Sequence, residues 1–243
     1  MTEPVAFLRS IVTYAAVLAY ILVAGPLGLF IAAVFRWKWG LYALGHGGVR
    51  LALTLAGIRY RVESLEQVPA TAVVFCSNHE SNVDPPVLFQ ALHSQLHVLY
   101  KAELHRFPIM GTVFDVGGFV PIDRGDRDKA MASIAKGAES LRAGNSFLIF
   151  PEGTRSRTGR LLPFKKGGFI MAIEAQVPIV PVAVQGGRLA MRKGSAFVHP
   201  VRVSVRLGTP IPTAGLTLSD RDALIARVRQ QVELLLEEGS LWE

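Results

Sequence analysis

The sequence predicts an α/β fold: a mixed, largely parallel sheet flanked by helices, with an N-terminal membrane-embedded helical segment. Three observations carry this expectation. Beyond about residue 50, short apolar runs of strand length alternate with longer segments of helical character. The stretch 10–35 contains no charged residue. Hydrophobic residues make up 50% of the 243-residue chain, and the excess is concentrated near the start. The length suits one catalytic domain plus an appendage. The expected division puts membrane-anchoring helices at 1–57 and the α/β domain at 58–243.

The uncharged run exceeds the ~20 residues a helix needs to cross about 30 Å of hydrocarbon. It is too long for a secretory signal and lacks a small-residue cleavage site followed by a polar start. Gly25, Pro26 and Gly28 interrupt it, so two helices meeting at a bend are expected there. Arg36-Trp37-Lys38-Trp39 then supplies the tryptophans and cations that chains place at headgroup level. Arg9 on one side of the run and Arg36 and Lys38 on the other leave orientation open.

Strands are expected at 72–76, 97–100, 118–122, 146–150, 179–184 and 201–207, and helices at 84–92, 127–142 and 166–176. A last helix starts near Ser219 as its N-cap and carries Leu224, Ile225, Val228, Val232 and Leu235 along one face. Pro178 and Pro181 mark the strand at 179–184 as an edge or irregular one.

The formal net charge is +7 and the isoelectric point about 9.9. No basic stretch is interleaved with aromatics and no nucleic-acid motif is present, so nucleic acid is not an expected partner. Anionic headgroups of a lipid bilayer and an anionic substrate account for the charge. The single cysteine, Cys76, excludes an internal disulfide and reads as a small buried hydrophobe. That fits a domain facing the cytoplasm.

The strongest chemical signal is Asn78-His79-Glu80-Ser81-Asn82-Val83-Asp84, between a strand and a helix. A histidine held by a carboxylate is a general base of fixed tautomer, and Asp84, ahead of Pro85 and Pro86, can cap the helix while turning back toward the loop. His79-Glu80 also opens like a zinc-protease motif, but that motif needs a histidine where Val83 stands, so no metal is expected. A second signal, Phe150-Pro151-Glu152-Gly153-Thr154-Arg155-Ser156, follows a strand. There Gly153 allows close backbone approach, Arg155 offers a planar fork for phosphate, and Thr154 and Ser156 add hydroxyls. Arg157, Arg160, Lys165 and Lys166 keep the loop electropositive, without the spacing of a phosphate-binding loop for nucleoside triphosphates. A third segment, 117–124, ends in Asp123-Arg124; Arg124 suits phosphate, or an ion pair with Asp123 or Asp126. The fourth is the proline-marked strand 177–183. No Gly-x-Ser-x-Gly elbow is present, which argues against a serine acyl-enzyme.

These four segments together resemble the glycerolipid acyltransferases, most closely the 1-acylglycerol-3-phosphate acyltransferases. His79 and Asp84 match the family's His-x4-Asp motif, and residues 150–156 match its Phe-Pro-Glu-Gly-Thr-Arg-Ser motif in full. The Gly-x-x-Phe-x-x-Arg block is looser, with Gly118 and Arg124 aligned across a longer variable part. The resemblance covers roughly 75–185 in the family's order. It implies that His79 takes the proton from an sn-2 hydroxyl of lysophosphatidic acid while Asp84 orients the ring and stabilises the imidazolium. The oxygen then attacks the thioester of acyl-CoA or acyl-carrier protein directly, with no cofactor beyond that donor. Glu152, Gly153, Thr154 and Arg155, with Arg124 and Lys101, are expected to hold the phosphate end. The alternatives are acylation of another lysophospholipid or of glycerol-3-phosphate, and, outside catalysis, a membrane scaffold built on a degenerate domain.

Overall fold

The computed structural model describes residues 3–92, 95–123, 125–156, 158–191 and 194–242. The apolar start forms α1 (Glu3–Phe35) and α2 (Lys38–Ala56), an antiparallel hairpin. The two helices expected to meet at Gly25–Pro26–Gly28 are one: α1 runs through Pro26, and the chain reverses at Arg36-Trp37, where Arg36 takes a left-handed φ of 52°. The glycines serve close packing instead. A Cβ on Gly25 would lie 2.8 Å from Ile109 Cγ2, and one on Gly28 would lie 2.7 Å from Leu41 Cδ1. Among the described residues α1 is the one helix long and apolar enough to cross a membrane.

The remainder alternates as expected: β1 (Arg59–Glu63), β2 (Val74–Ser77), α3 (Asp84–Ala91), β3 (His97–Lys101), α4 (Pro108–Val116), β4 (Val120–Ile122), α5 (Arg127–Arg142), β5 (Phe147–Ile149), α6 (Gly167–Ala175), β6 (Ile179–Gln185), β7 (Arg202–Leu207) and α7 (Arg221–Glu237). The sheet order is β1-β7-β6-β2-β5-β3-β4, with only the β6/β7 pair antiparallel. This is the mixed, largely parallel sheet the sequence predicts. Alternate strand residues bury apolar clusters on opposite faces. Phe75, Leu148 and Val203 pack against α2 and α3, whereas Cys76, Phe147 and Ile149 pack against α5, α6 and α7.

Of the two alternatives for the proline-marked strand, the irregular one holds and the edge does not: β6 lies inside the sheet and is buried along almost its whole length. Pro181 is tolerated there because β7 stops pairing at Leu207, and the contact resumes one residue out of step at Ile179↔Ile211. The missing N–H falls in that bulge, while the Pro181 carbonyl still accepts from Gly208 N–H at 2.8 Å. The last helix is capped two residues earlier than expected. Thr217, not Ser219, makes a capping box with Asp220 around a 3-10 turn that leads into α7.

The topology sets the site. The chain leaves β2 for α3 on one face of the sheet and leaves the neighbouring β5 for α6 on the other. The carboxyl ends of these two strands therefore open a crevice at a topological switch point, the usual ligand position in such sheets.

Candidate active site

Both chemical motifs occupy that crevice. The loop after β2 is fixed by Asn78, whose amide donates to Val184 O at 2.8 Å and accepts from Val184 N–H at 2.7 Å, extending the ladder to β6. His79 follows. Its Nδ1 lies 2.9 Å from Asp84 Oδ2, and its ring packs on Phe150 at 4.3 Å between centroids. Asp84 is fully buried at the start of α3. It makes no side-chain cap on the helix; Oδ2 instead turns back and accepts the N–H groups of Glu80 and Ser81, both at 2.7 Å. An oxygen already accepting two donors takes the third as acceptor too, which puts the imidazole proton on Nδ1 and leaves the Nε2 lone pair for the cavity. The His79 side chain keeps 16% of its surface, enough for a hydroxyl to reach it.

The second motif braces the first. Glu152 is buried; Oε1 accepts the His79 N–H at 2.8 Å and Oε2 the Leu162 N–H at 2.9 Å. Burial raises its carboxyl above the usual range, and the two N–H donors oppose that shift. Each Glu152 oxygen thus accepts a backbone N–H, which makes this carboxylate a brace between the two loops. Ser156 is likewise inward: its N–H donates to His79 O at 2.7 Å and its hydroxyl to Arg160 O at 2.7 Å. Gly153 turns with φ 70°, and Thr154 and Arg155 come to the surface of the cavity.

A cation outside the expected set joins them. The Lys165 side chain lies across Gly153, so a Cβ there would meet Lys165 Cε at 2.8 Å and Nζ at 2.9 Å. Lys165 N–H donates to Pro151 O at 2.8 Å, which ties the end of the loop back to its beginning. Lys101 also lines the cavity, with its Nζ 2.9 Å from Glu103 Oε1 in an exposed pair. Arg124 lies outside the described residues. Asp123 accepts the Gly125 N–H, and Asp126 caps α5.

Glu80 was hidden in the sequence as a variable position of the His-x4-Asp motif. It is 9% exposed and accepts the Arg188 N–H at 3.1 Å. Burial, and then the charge of Asp84, push its carboxyl up to about 7. The turn it holds is tight, since a Cβ on Gly187 would sit 2.6 Å from Asp84 Oδ1. Cys76 is fully buried and its thiol is pushed up by burial, so it has no nucleophilic character.

The crevice continues into a cavity of about 950 Å³. Its walls are apolar side chains of α1, α2 and α4, among them Ile21, Leu41, Val49, Met110 and Phe114. His79 and the Gly153–Arg155 turn line its polar end. The volume is near the upper end of the ~300–1,000 Å³ common for ligand sites. The shape and lining suit one long apolar chain with an anionic head.

The class to which this fold and site belong is the acyltransferases, whose family pattern matches residues 59–185. Among relatives, the 1-acyl-sn-glycerol-3-phosphate acyltransferase of Pseudomonas aeruginosa is 30% identical over 236 residues, covering 95% of this chain and 90% of the relative. That of Limnanthes douglasii is 31% identical, covering 83% of this chain and 73% of its own. The coconut enzyme of the same name is 36% identical over 170 residues, and the alignment spans 55% of its length. The crystal structure of the 1-acyl-sn-glycerophosphate (LPA) acyltransferase from Thermotoga maritima superposes over the whole of both chains with a TM-score of 0.84 at 23% identity, a likeness of fold. The chain belongs to the 1-acyl-sn-glycerol-3-phosphate acyltransferase family and is an acyltransferase.

Proposed function

We propose that the protein transfers an acyl group from a thioester, acyl-CoA or acyl-carrier protein, to the sn-2 hydroxyl of 1-acylglycerol-3-phosphate, giving phosphatidic acid. The observation that carries this reading is the His79–Asp84 contact of 2.9 Å at the polar end of an apolar cavity. His79 Nε2 removes the hydroxyl proton as the oxygen attacks the thioester carbonyl. Asp84 keeps the ring in register and balances the charge it gains. The tetrahedral intermediate then collapses, the carbon–sulfur bond breaks, and the thiolate takes the proton back from His79. A thioester is already activated, so a positioned base suffices. The names of the relatives support the acceptor; the cavity supports an acyl chain; Arg155 and Lys165 support a phosphate.

Membrane attachment belongs to the same proposal. The α1–α2 hairpin bears exposed Leu18, Leu22, Val23, Leu27 and Phe30, with Trp37 and Trp39 at its turn. A substrate drawn from the bilayer would then reach a cavity that the hairpin itself walls, with the catalytic domain on the cytoplasmic side.

The test is acyl transfer by purified protein in detergent, with labelled acyl donor and a panel of lysolipids. His79→Ala is expected to lose ~10²–10⁴-fold in rate at unchanged fold. Near-normal turnover would sink the mechanism, and a preference for a phosphate-free acceptor would sink the substrate.

A further inference from the structure

Tyr100 carries an unanswered hydroxyl. It stands on β3, only 6% exposed, with its ring 4.7 Å from that of Phe114 on α4. It lines the acyl cavity, and its hydroxyl has no hydrogen-bond partner among the described residues. A buried hydroxyl without a partner is costly, and phenylalanine would fill the same space without that cost. The oxygen therefore points to a ligand atom.

The position of Tyr100 narrows which atom. β3 pairs with β5 through His97↔Phe147 and Val98↔Leu148. Tyr100 lies two residues beyond Val98 and Phe150 two residues beyond Leu148, and both line the cavity. Phe150 is the ring on which His79 packs. Tyr100 thus stands one strand over from the base, where the head of a bound chain begins rather than where its methyl end lies. Burial, and then the Asp115 carboxylate, push the hydroxyl up to about 12, so it stays protonated and is available as a donor. In an acyl chain the oxygens are confined to the carbonyl end.

We propose that Tyr100 donates a hydrogen bond to an acyl carbonyl oxygen in the cavity and so sets the depth of the chain's head relative to His79. This rests on the acyl-transfer reading above. The carbonyl belongs either to the donor's thioester or to the sn-1 ester of the acceptor, and the two are separable by chemistry.

The experiment compares Tyr100→Phe with the wild type, both full-length in detergent, on 1-acyl and 1-O-alkyl glycerol-3-phosphate. The ether acceptor has no sn-1 carbonyl. The melting temperature of the variant should hold or rise, because the hydroxyl has no partner in the fold. Its kcat/KM should fall roughly tenfold, the weight of one hydrogen bond. If the sn-1 ester is the partner, the wild type prefers the ester acceptor and the variant loses that preference. If the thioester is the partner, the variant loses kcat equally on both acceptors. A variant equal to the wild type on both acceptors overturns the proposal, as does an activity loss that tracks a lower melting temperature. His79→Ala serves as the separate control. Should it remain fully active, the acyl-transfer reading itself fails, whereas an inactive His79→Ala beside a neutral Tyr100→Phe removes the tyrosine alone.

Discussion

The Glu152 carboxylate accepts the backbone N–H of His79 at 2.8 Å, so the loop after β5 holds the loop after β2 from beneath. The two motifs therefore form one structure, closed a second time by Ser156 N–H on His79 O. The loop has a buried half, Glu152 and Ser156, that holds His79, and a half, Gly153 to Arg155, that lines the cavity.

That division predicts how Glu152 fails. Glu152→Gln keeps one acceptor oxygen but turns an N–H₂ toward either His79 N–H or Leu162 N–H. Losing one charge-assisted bond should displace the base and lower kcat by roughly 10–100-fold, with little change in KM for the lysolipid. Steady-state kinetics on lysophosphatidic acid reads this directly. The opposite split, a raised KM at unchanged kcat, would return Glu152 to substrate binding.

Much of the fold was legible because burial on both sides of a parallel sheet leaves apolar runs, as at 179–184, and because Asp84-Pro85-Pro86 announces a helix start. β1 escaped notice because Arg-Tyr-Arg-Val-Glu reads as polar; only Tyr60 and Val62 face inward on this edge strand. α4 escaped because Pro-Ile-Met-Gly-Thr-Val-Phe-Asp-Val has little helical propensity, and its place is set by distant contacts such as Ile109 on Gly25. The dyad could be read from five-residue spacing. Glu152, Glu80, Lys165 and Tyr100 could not, since their roles depend on what the sheet brings beside them.

Glu80 gives a pH-dependent prediction. Its carboxyl is raised in the fold to about 7 from an ordinary value near 4.5. The protonated form is thus favoured by folding, and the associated stability is fully present below pH ~4.5 and lost as pH rises through 7. Glu80→Gln does not titrate, and its amide oxygen can still accept the Arg188 N–H. The variant should melt higher than wild type at pH 8, with the gap closing toward pH 5; the full difference is on the order of 3 kcal/mol. Comparing the two proteins at each pH cancels other titrating groups. A gap that does not vary with pH would mean that Glu80 is charged in both states.

The hairpin offers a third test. Trp37 and Trp39 are each more than half exposed at its turn. Replacing both with alanine should weaken sedimentation with anionic liposomes roughly tenfold while sparing activity on detergent-dispersed substrate. A chain beginning at residue 58 should lose most membrane affinity, but it also lacks the cavity walls of α1 and α2 and the buried Leu53 and Ala56. The tryptophan pair is therefore the cleaner probe. Full sedimentation of the double variant would place the anchor on the exposed face of α1 or in the catalytic domain.

Phosphate recognition can be separated from chemistry at Gly153. Arg155 and Lys165 both line the polar end of the cavity, and the Lys165 side chain lies across this turn. Arginine makes two parallel bonds to a phosphate, which lysine cannot reproduce, so Arg155→Lys should lower kcat/KM for lysophosphatidic acid by on the order of 10²-fold and retain some activity. Lys165→Met keeps the stem over Gly153 and removes only the charge. It should raise KM by roughly tenfold, with a weaker dependence on salt than wild type. Monoacylglycerol has no phosphate; it should be a poor substrate for the wild type and lose little further in either variant. Equal losses on both acceptors would mean that these cations support the fold or bind the acyl carrier. Loss confined to the phosphorylated acceptor, with the fold intact, would assign both to its headgroup.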